Sequence, residues 1–314
     1  MKVLLIRFGQ LGDVVLTTSV IEHLYEENYE IHYLTKKPFD EIFLEDYRVK
    51  KVFIYDKVSL FELLKEKYNL VLDLHSKIKT IVLSKIISPF HSKTYNKRII
   101  ERRLTLIFKK PFNKLRIYEM YNEVVNSNKK PRIILSSKPI IEGDYIVINP
   151  TARYPSRIYR HFDKLDKLLD KIGIKKVYIG TENDLHFLKD FKFNGLNLIG
   201  KTTIREMLNI VKYAKLFIGN DSGITHIASA FNVPSIVFFG PTVLSFGFEP
   251  FCDRYYVFEI KNLPCRPCSL HGEKPCKRKD YACLSWIEPE LVFEKVLEML
   301  CPINSVKLLI VNKL

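Results

Sequence analysis

Residues 217–242 read FIGNDSGITHIASAFNVPSIVFFGPT, and the fold is decided here. Leu216, Phe217 and Ile218 end an apolar run, and Gly219-Asn220-Asp221-Ser222-Gly223 is a turn of small and polar residues. Ile224, Ile227, Ala228 and Phe231 then recur at helical spacing until Asn232 and Pro234 stop the helix. Residues 235–239 read as a fully buried strand, and Gly240-Pro241-Thr242 as a second tight turn. Strand, turn, helix, strand is one half of a nucleotide-binding α/β unit. The turn suits an anion, because the first free N–H groups of the helix lie at Ser222 and Gly223 and the helix dipole favours negative charge there. Gly223 lets a ligand come close to the backbone, and His226, one turn in, can donate to a phosphate oxygen. A purely structural reading stands beside this one: Asp221 or Ser222 caps the helix, and His226 is a satisfied core histidine.

The rest of the chain repeats the same alternation. Residues 3–8 read as a strand, Gly9-Gln10-Leu11-Gly12-Asp13 as a glycine turn and 14–25 as a helix. The spacing Gly9-x-x-Gly12 differs from the dinucleotide fingerprint G-x-G-x-x-G, which disfavours a dinucleotide-dependent oxidoreductase. Asp13 either caps the helix or presents a carboxylate at the carboxyl end of a strand, where open α/β sheets place their chemistry, and one residue can do both. Strands are expected at 30–35, 52–55, 70–74 and 92–95, with helices at 38–44, 60–67, up to 86, 99–108 and 118–125. The polar segment 126–143, with Pro131, Pro139 and Gly143, reads as a linker. A second series follows, with strands at 145–149, 176–180, 196–199 and 255–259 and helices at 162–172, 184–189, 204–213 and 289–300, then a short apolar tail at 306–311. Two α/β halves with parallel sheets are predicted, with a ligand cleft between them.

The chain has 314 residues, enough for two domains, and its 47% apolar content excludes disorder. No apolar run reaches membrane-spanning length. The apolar core of Met1-Lys2-Val3-Leu4-Leu5-Ile6-Arg7 is too short for a signal peptide, so a cytoplasmic protein is expected. The formal net charge of +15 points to an anionic partner. Residues 85–116 carry ten Lys or Arg and one acid, Glu101. That segment is either a solvated helix face or a contact for phosphates or an acidic membrane surface. No aromatic-basic platform of a nucleic-acid module is present, so no nucleic-acid partner is expected. Cys265-x2-Cys268-x7-Cys276-x6-Cys283 could hold structural Zn²⁺, remain as reduced thiols, or form disulfides, which cytoplasm disfavours. No Asp-x-Asp metal motif occurs.

Three groups of residues together resemble glycosyltransferase family 9, the lipopolysaccharide heptosyltransferases, over nearly the whole chain. The strongest runs from Leu198-Ile199-Gly200-Lys201-Thr202-Thr203 through Asp221-Ser222-Gly223-x-x-His226-x-Ala228 to Phe239-Gly240-Pro241-Thr242. The second is Gly12-Asp13-Val14. The third is Cys265-x-Pro267-Cys268, Cys276, Cys283 and Ile287-x-Pro289-Glu290, which resembles the heptosyltransferase II branch. The resemblance implies a GT-B fold, two Rossmann-like domains facing each other across a cleft. Residues 1–140 would bind the acceptor and 141–290 the nucleotide sugar, with 291–314 crossing back to the first domain. It implies an inverting transfer from ADP-heptose to the lipopolysaccharide inner core, of Kdo-lipid A type, at the inner face of the cytoplasmic membrane. No cofactor would be required, with structural Zn as a possibility at the cysteines. The alternative is a family 9 transferase with a different nucleotide sugar or glycan acceptor.

The resemblance also assigns roles. Asp13 matches the family's base. Ser222, Gly223, His226 and Thr151 would meet the leaving diphosphate, and Asp221 the sugar hydroxyls or the turn itself. The family's Lys-x-Trp-Pro is absent from Arg153-Tyr154-Pro155-Ser156-Arg157-Ile158-Tyr159-Arg160, where Arg157, then Arg153 and Arg160, stand in for the lysine. Asp184, with Glu182 nearby, falls where the family has an acid near the nucleoside, or else caps a helix. Met207 borders the adenine or packs in the core. Gly12, Arg98, Arg102 and Arg103 are the expected acceptor contacts.

Overall fold

In the computed structural model, residues 1–182, 188 and 191–301 are described. The first half runs β1 (Lys2–Ile6), α1 (Leu11–Leu16), α2 (Thr18–Glu26), β2 (Glu30–Thr35), β3 (Val49–Ile54), α3 (Leu60–Lys65), β4 (Leu70–Asp73), α4 (Ile78–Ile87), β5 (Ser92–Thr94), α5 (Ile99–Phe108) and α6 (Ile117–Asn122). The second runs β6 (Tyr145–Asn149), α7 (Phe162–Leu169), β7 (Lys175–Tyr178), β8 (Leu196–Asn197), α8 (Ile204–Lys212), β9 (Leu216–Asn220), α9 (Gly223–Ala230), β10 (Ser235–Phe239), β11 (Tyr255–Glu259), α10 (Ala282–Ser285) and α11 (Pro289–Leu300). The strands order as β3-β2-β1-β4-β5 and β11-β10-β9-β6-β7-β8. Every pairing is parallel. Both sheets are therefore doubly wound, and each changes winding direction once, between β1 and β4 and between β6 and β9.

Local chemistry accounts for the main departures from the periodicity. The expected helix at 14–25 starts earlier and breaks at Thr17. There Thr17, Thr18 and Ser19 each turn a hydroxyl back to the carbonyl three residues earlier, and such bonds compete with the helical ladder. The expected helix at 38–44 is a 3-10 helix, Phe39–Phe43. The capping boxes of Ser59 with Glu62 and Thr203 with Glu206 fix the starts of α3 and α8. Of the helix expected at 184–189 only Leu188 is described, and the apolar tail at 306–311 lies outside the described residues.

One apolar core crosses both halves, joining Val3, Leu5, Val14 and Tyr121 to Val147, Phe217 and Ile227. The contact is closest where the two glycine turns meet. A Cβ on Gly12 would lie 2.7 Å from Cδ2 of His226 and 3.0 Å from Cα of Gly223; one on Gly223 would lie 2.9 Å from the backbone N of Gly12. Gly223, read as a place for a ligand to approach, thus has the opposite helix turn against it. The segment 126–143 is no free linker. Ser136 and Ser137 donate to Glu45, while Asn209 and Tyr213 donate to the carbonyls of Lys138 and Ser137. Arg205 pairs directly with Glu45 across the halves. The return of residues 291–314 to the first half does not occur within the described residues. α11 instead buries Val292, Val296 and Met299 in the core of the second half with Phe162 and Leu165, because its apolar stripe matches that of α7.

Replacing Gly223 by Ala puts a methyl against backbone, which cannot step aside as a side chain can. The substitution is expected to cost about 1–3 kcal/mol, read as a lower midpoint of thermal unfolding. An unchanged midpoint would show that the glycine contact does not constrain the two halves.

Candidate active site

The carboxyl ends of β1 and β4 open into a crevice at the winding switch of the first sheet. Arg7, the first residue after β1, is buried and donates Nε to the carbonyl of Gly9 at 3.2 Å and Nη1 to that of Leu74 at 2.9 Å. Its Nη2 pairs with Oδ2 of Asp13, and the Tyr121 hydroxyl donates to Oδ1 at 3.3 Å. Burial works against the Arg7 charge, but Asp13 and the surrounding tyrosines outweigh it and its pKa is raised. The Asp13 side chain keeps 20% of its surface exposed. A carboxylate held from two sides with one face open is arranged to accept a proton or a hydrogen bond from a bound molecule.

The crevice has a volume of about 710 Å³. Arg7, Lys36, Lys77, Lys79, Lys97, Arg102 and Arg103 line it, and Asp13 is the one carboxylate among its lining residues. Arg102 lies over the rings of Phe246 and Phe248 at 5.5 and 5.7 Å, and its Nε and Nη2 are buried without a partner. Burial lowers its pKa, with Asp13 acting in the opposite direction. The His75 pKa is pushed down to about 4, first by burial and then by Arg7, Lys77 and Lys97, so its imidazole is neutral near pH 7. Lys97 is lowered by burial and then by Arg7 and Lys77. Cations that hold one another's charge down in one crevice favour an anionic occupant.

The corresponding switch in the second half lies between β6 and β9. Asn149 donates to Thr151 Oγ1 and to the carbonyl of Ile179, both at 2.9 Å, and accepts from Ser222 Oγ at 3.0 Å. Asn220 donates to the carbonyl of Thr151 at 3.0 Å and accepts from Tyr159 N–H at 2.9 Å. These two buried amides fix the turns after both strands. Asp221 is buried, accepts from Thr242 at 2.9 Å and pairs with Arg157, which also donates to the Asp221 carbonyl. His226 is 3% exposed, lies between Gly12 and the ring of Phe251, and has Nδ1 buried without a partner. Burial lowers its pKa against the pull of Asp221 and Asp13.

The sites read from the sequence thus separate. Asp13, Arg102 and Arg103 line the first-half crevice. Arg98 does not; it pairs with Glu123 at 2.6 Å and Glu101 at 3.5 Å. Gly12 is buried under His226 and Gly223. Thr151, Asp221, Ser222, Gly223 and His226 surround the turns after β6 and β9. Arg157 faces them, but the Asp221 carboxylate already matches its charge. Arg153 is exposed and reaches across to Gln10 at 3.4 Å, whereas Arg160 stacks 3.6 Å over Tyr281. Glu182 is exposed beside Gly200, and Asp184 lies outside the described residues. Met207 is buried in the shared core. The cysteines do not fit structural zinc. Among the described residues no three His, Cys, Asp or Glu side chains could hold a metal ion, and Cys265, Cys268, Cys276 and Cys283 are all free.

The sequence reading missed Lys36, His75, Lys77, Lys79 and Lys97. Each lies in the loop, or at the helix start, just past the carboxyl end of β2, β4 or β5, so the strand-end rule that singled out Asp13 could have found them. Asn149 and Asn220, the last residues of β6 and β9, carry the same signal.

A model of glycosyltransferase family 9 (heptosyltransferase) matches residues 84–281, well over half of the chain. Lipopolysaccharide heptosyltransferase 1 of Campylobacter coli is 26% identical, the match covering 95% of this chain and 99% of that protein. Among solved structures, the ADP-heptose lps heptosyltransferase II of E. coli superposes with a TM-score of 0.76 at 18% identity, over 96% of this chain and 98% of that one. The E. coli heptosyltransferase WaaC with ADP-2-deoxy-2-fluoro heptose gives 0.64 at 16% identity, over 95% and 99%. These two likenesses give the fold, two Rossmann-like domains in the GT-B arrangement. The chain belongs to glycosyltransferase family 9, the heptosyltransferase family.

Proposed function

We propose that this glycosyltransferase moves heptose from ADP-heptose to the inner core of lipopolysaccharide, with inversion at the anomeric carbon. The observation that carries the reading is the single carboxylate of Asp13 in a crevice lined by seven Lys or Arg side chains. An acceptor bearing carboxylates or phosphates, as an inner-core sugar of Kdo-lipid A type does, matches that charge. Residues 1–140 bind this acceptor and 141–290 the donor. The acceptor hydroxyl gives its proton to Asp13 as its oxygen bonds to the anomeric carbon. The bond from that carbon to the diphosphate oxygen breaks, and its electron pair leaves with ADP.

The developing charge on ADP falls at the start of α9, where Ser222 and Gly223 head the helix and His226 lies one turn in. Thr151 lies beside them. Arg157 and Asp221 form one neutral unit. In this account Arg157 fixes the turn that meets the diphosphate rather than supplying an unmatched cation, and Asp221 keeps that turn's geometry. Stabilisation by the helix start and by neutral side-chain donors calls for no metal in this scheme. One protein of similar fold is named as an ADP-heptose lps heptosyltransferase and another is described with ADP-2-deoxy-2-fluoro heptose, which supports this donor. Work on a lipid-linked acceptor places the enzyme at the inner face of the cytoplasmic membrane. In this reading the contact is peripheral; among the described residues no helix is long and apolar enough to cross a membrane.

Replacing Asp13 by Asn keeps its shape and removes the base. Turnover is expected to fall by about 10²–10⁴-fold while ADP binding, measured by calorimetry, stays as in the parent protein. Retained turnover would remove Asp13 from the role of base. Arg102→Gln takes away an unpartnered guanidinium, a charged hydrogen bond of about 1.5–3 kcal/mol. KM for the acceptor should rise about 10–100-fold with KM for the donor unchanged; an unchanged acceptor KM would contradict the assignment. His75 gives a pH signature. An anion entering the crevice raises its pKa from about 4, so binding takes up a proton and anion affinity should increase several-fold as pH falls from 7 towards 5. His75→Gln should flatten that dependence, and an equal slope in both proteins would count against the placement.

A further inference from the structure

Two helices of the first half carry apolar side chains outward as well as inward: Leu83 and Ile87 of α4 pack against the core, yet the opposite face is apolar too. Along α4, IKTIVLSKII, the buried residues are Thr80 and Ser84, both 0% exposed, while Ile78 is 84% exposed and Ile81, Val82 and Ile86 also face out. Along α5, IIERRLTLIF, the one buried residue is again polar, Thr105, and Ile100, Ile107 and Phe108 are exposed. Phe90, just past α4, is 91% exposed, and Phe112 beyond α5 is also exposed. A helix on a water-facing surface carries its apolar stripe inward. Contiguous exposed apolar side chains mark a surface that meets something other than water.

The charge of the same region identifies the occupant. Lys85 on α4, Arg103 on α5 and Lys110 and Lys114 just beyond it are exposed in the same segment as these apolar side chains. The segment's single acid, Glu101, is already paired with Arg98 at 3.5 Å. Apolar side chains accompanied by unopposed cations match an acidic lipid surface, where hydrocarbon takes the former and headgroup charge the latter. A second copy of this chain would set that positive surface against itself. Position agrees as well: Lys77, Lys79 and Thr80 at the start of α4, and Ile99, Arg102 and Arg103 near the start of α5, line the crevice that holds Asp13.

We propose that the outward faces of α4 and α5, with Phe90 between them, dock this protein on an anionic lipid bilayer and bring the mouth of the Asp13 crevice to the headgroup plane. The consequence for catalysis rests on the reading of the acceptor as lipid-linked. The docking itself does not, because it is measured without either substrate.

The test uses the full chain and vesicles of phosphatidylcholine with or without about 30% phosphatidylglycerol, an anionic content of the order that attracts basic surfaces. The expected result is co-sedimentation with the anionic vesicles that weakens as salt is raised, with little binding to the neutral ones. The combined substitution Val82→Asn, Ile86→Asn and Phe90→Ser changes only exposed side chains outside the crevice and should lower partitioning at least tenfold. The chain has one tryptophan, Trp286. In a Trp286→Phe background, Phe90→Trp should emit as an exposed indole in buffer and shift to the blue on anionic vesicles, where brominated lipid should quench it. No binding to anionic vesicles at low salt, or binding unaltered by the triple substitution, would overturn the proposal. So would blue-shifted emission from the Phe90→Trp protein in buffer alone, which would mean that the chain's own residues or a second copy cover the face. Loss of transfer activity with docking intact would strike the enzymatic reading and leave this one standing.

Discussion

The structure depends on one close backbone contact, Gly12 against Gly223. Each glycine heads the helix after a central strand, Gly12 near the start of α1 after β1 and Gly223 at the start of α9 after β9. Neither position has room for a Cβ. The two helix starts can therefore approach until the core of one half continues into the other. That contact sets Asp13, one residue beyond Gly12, near the start of α9, where Asp13 and Asp221 both act on the buried His226. In a transferase this matters because the base and the leaving group lie on opposite sides of one carbon atom, and a displacement of about an ångström is costly in rate. The segment 126–143, bonded to Glu45 on one side and to Asn209 and Tyr213 on the other, holds the same register.

The two sides of the contact differ in electrostatics. On the first-half side, seven cations face one carboxylate, and that carboxylate is held by Arg7 and Tyr121. On the second-half side, Arg157 and Asp221 cancel, and the turns after β6 and β9 are secured by the neutral amides of Asn149 and Asn220. An acceptor rich in fixed negative charge and a donor whose charge develops only as it leaves would need these two kinds of site. The first is electrostatic attraction in the ground state; the second is a set of preorganised dipoles that act as the charge forms.

Much of this was legible in the sequence because it follows from periodicity and strand ends. The strand-turn-helix-strand order of residues 217–242 and the glycine turn before Asp13 appear where the spacing places them, and the described parts of the two α/β series follow it apart from the break at Thr17 and the 3-10 helix at Phe39–Phe43. Features that depend on distant partners were not legible. Nothing local says that Gly223 packs on Gly12 as well as heading a helix suited to an anion, since both roles require a missing side chain. Nothing in Arg153-Tyr154-Pro155-Ser156-Arg157 reveals that Asp221 neutralises the last arginine, because the two are far apart in the chain. The outward apolar faces of α4 and α5 were only partly legible. The basic run at 85–116 offered an acidic membrane surface as one reading, and only the burial of Thr80, Ser84 and Thr105 shows which side faces in.

The central claim is that this chain adds a heptose to an inner-core acceptor. The direct measurement is the mass of a truncated lipopolysaccharide acceptor after incubation with the protein and ADP-heptose, with the anomeric configuration of the product read by NMR. The account predicts an acceptor heavier by one heptose, joined with the configuration opposite to that of the donor. No added heptose on any inner-core acceptor, or a product with the donor's configuration retained, would contradict it.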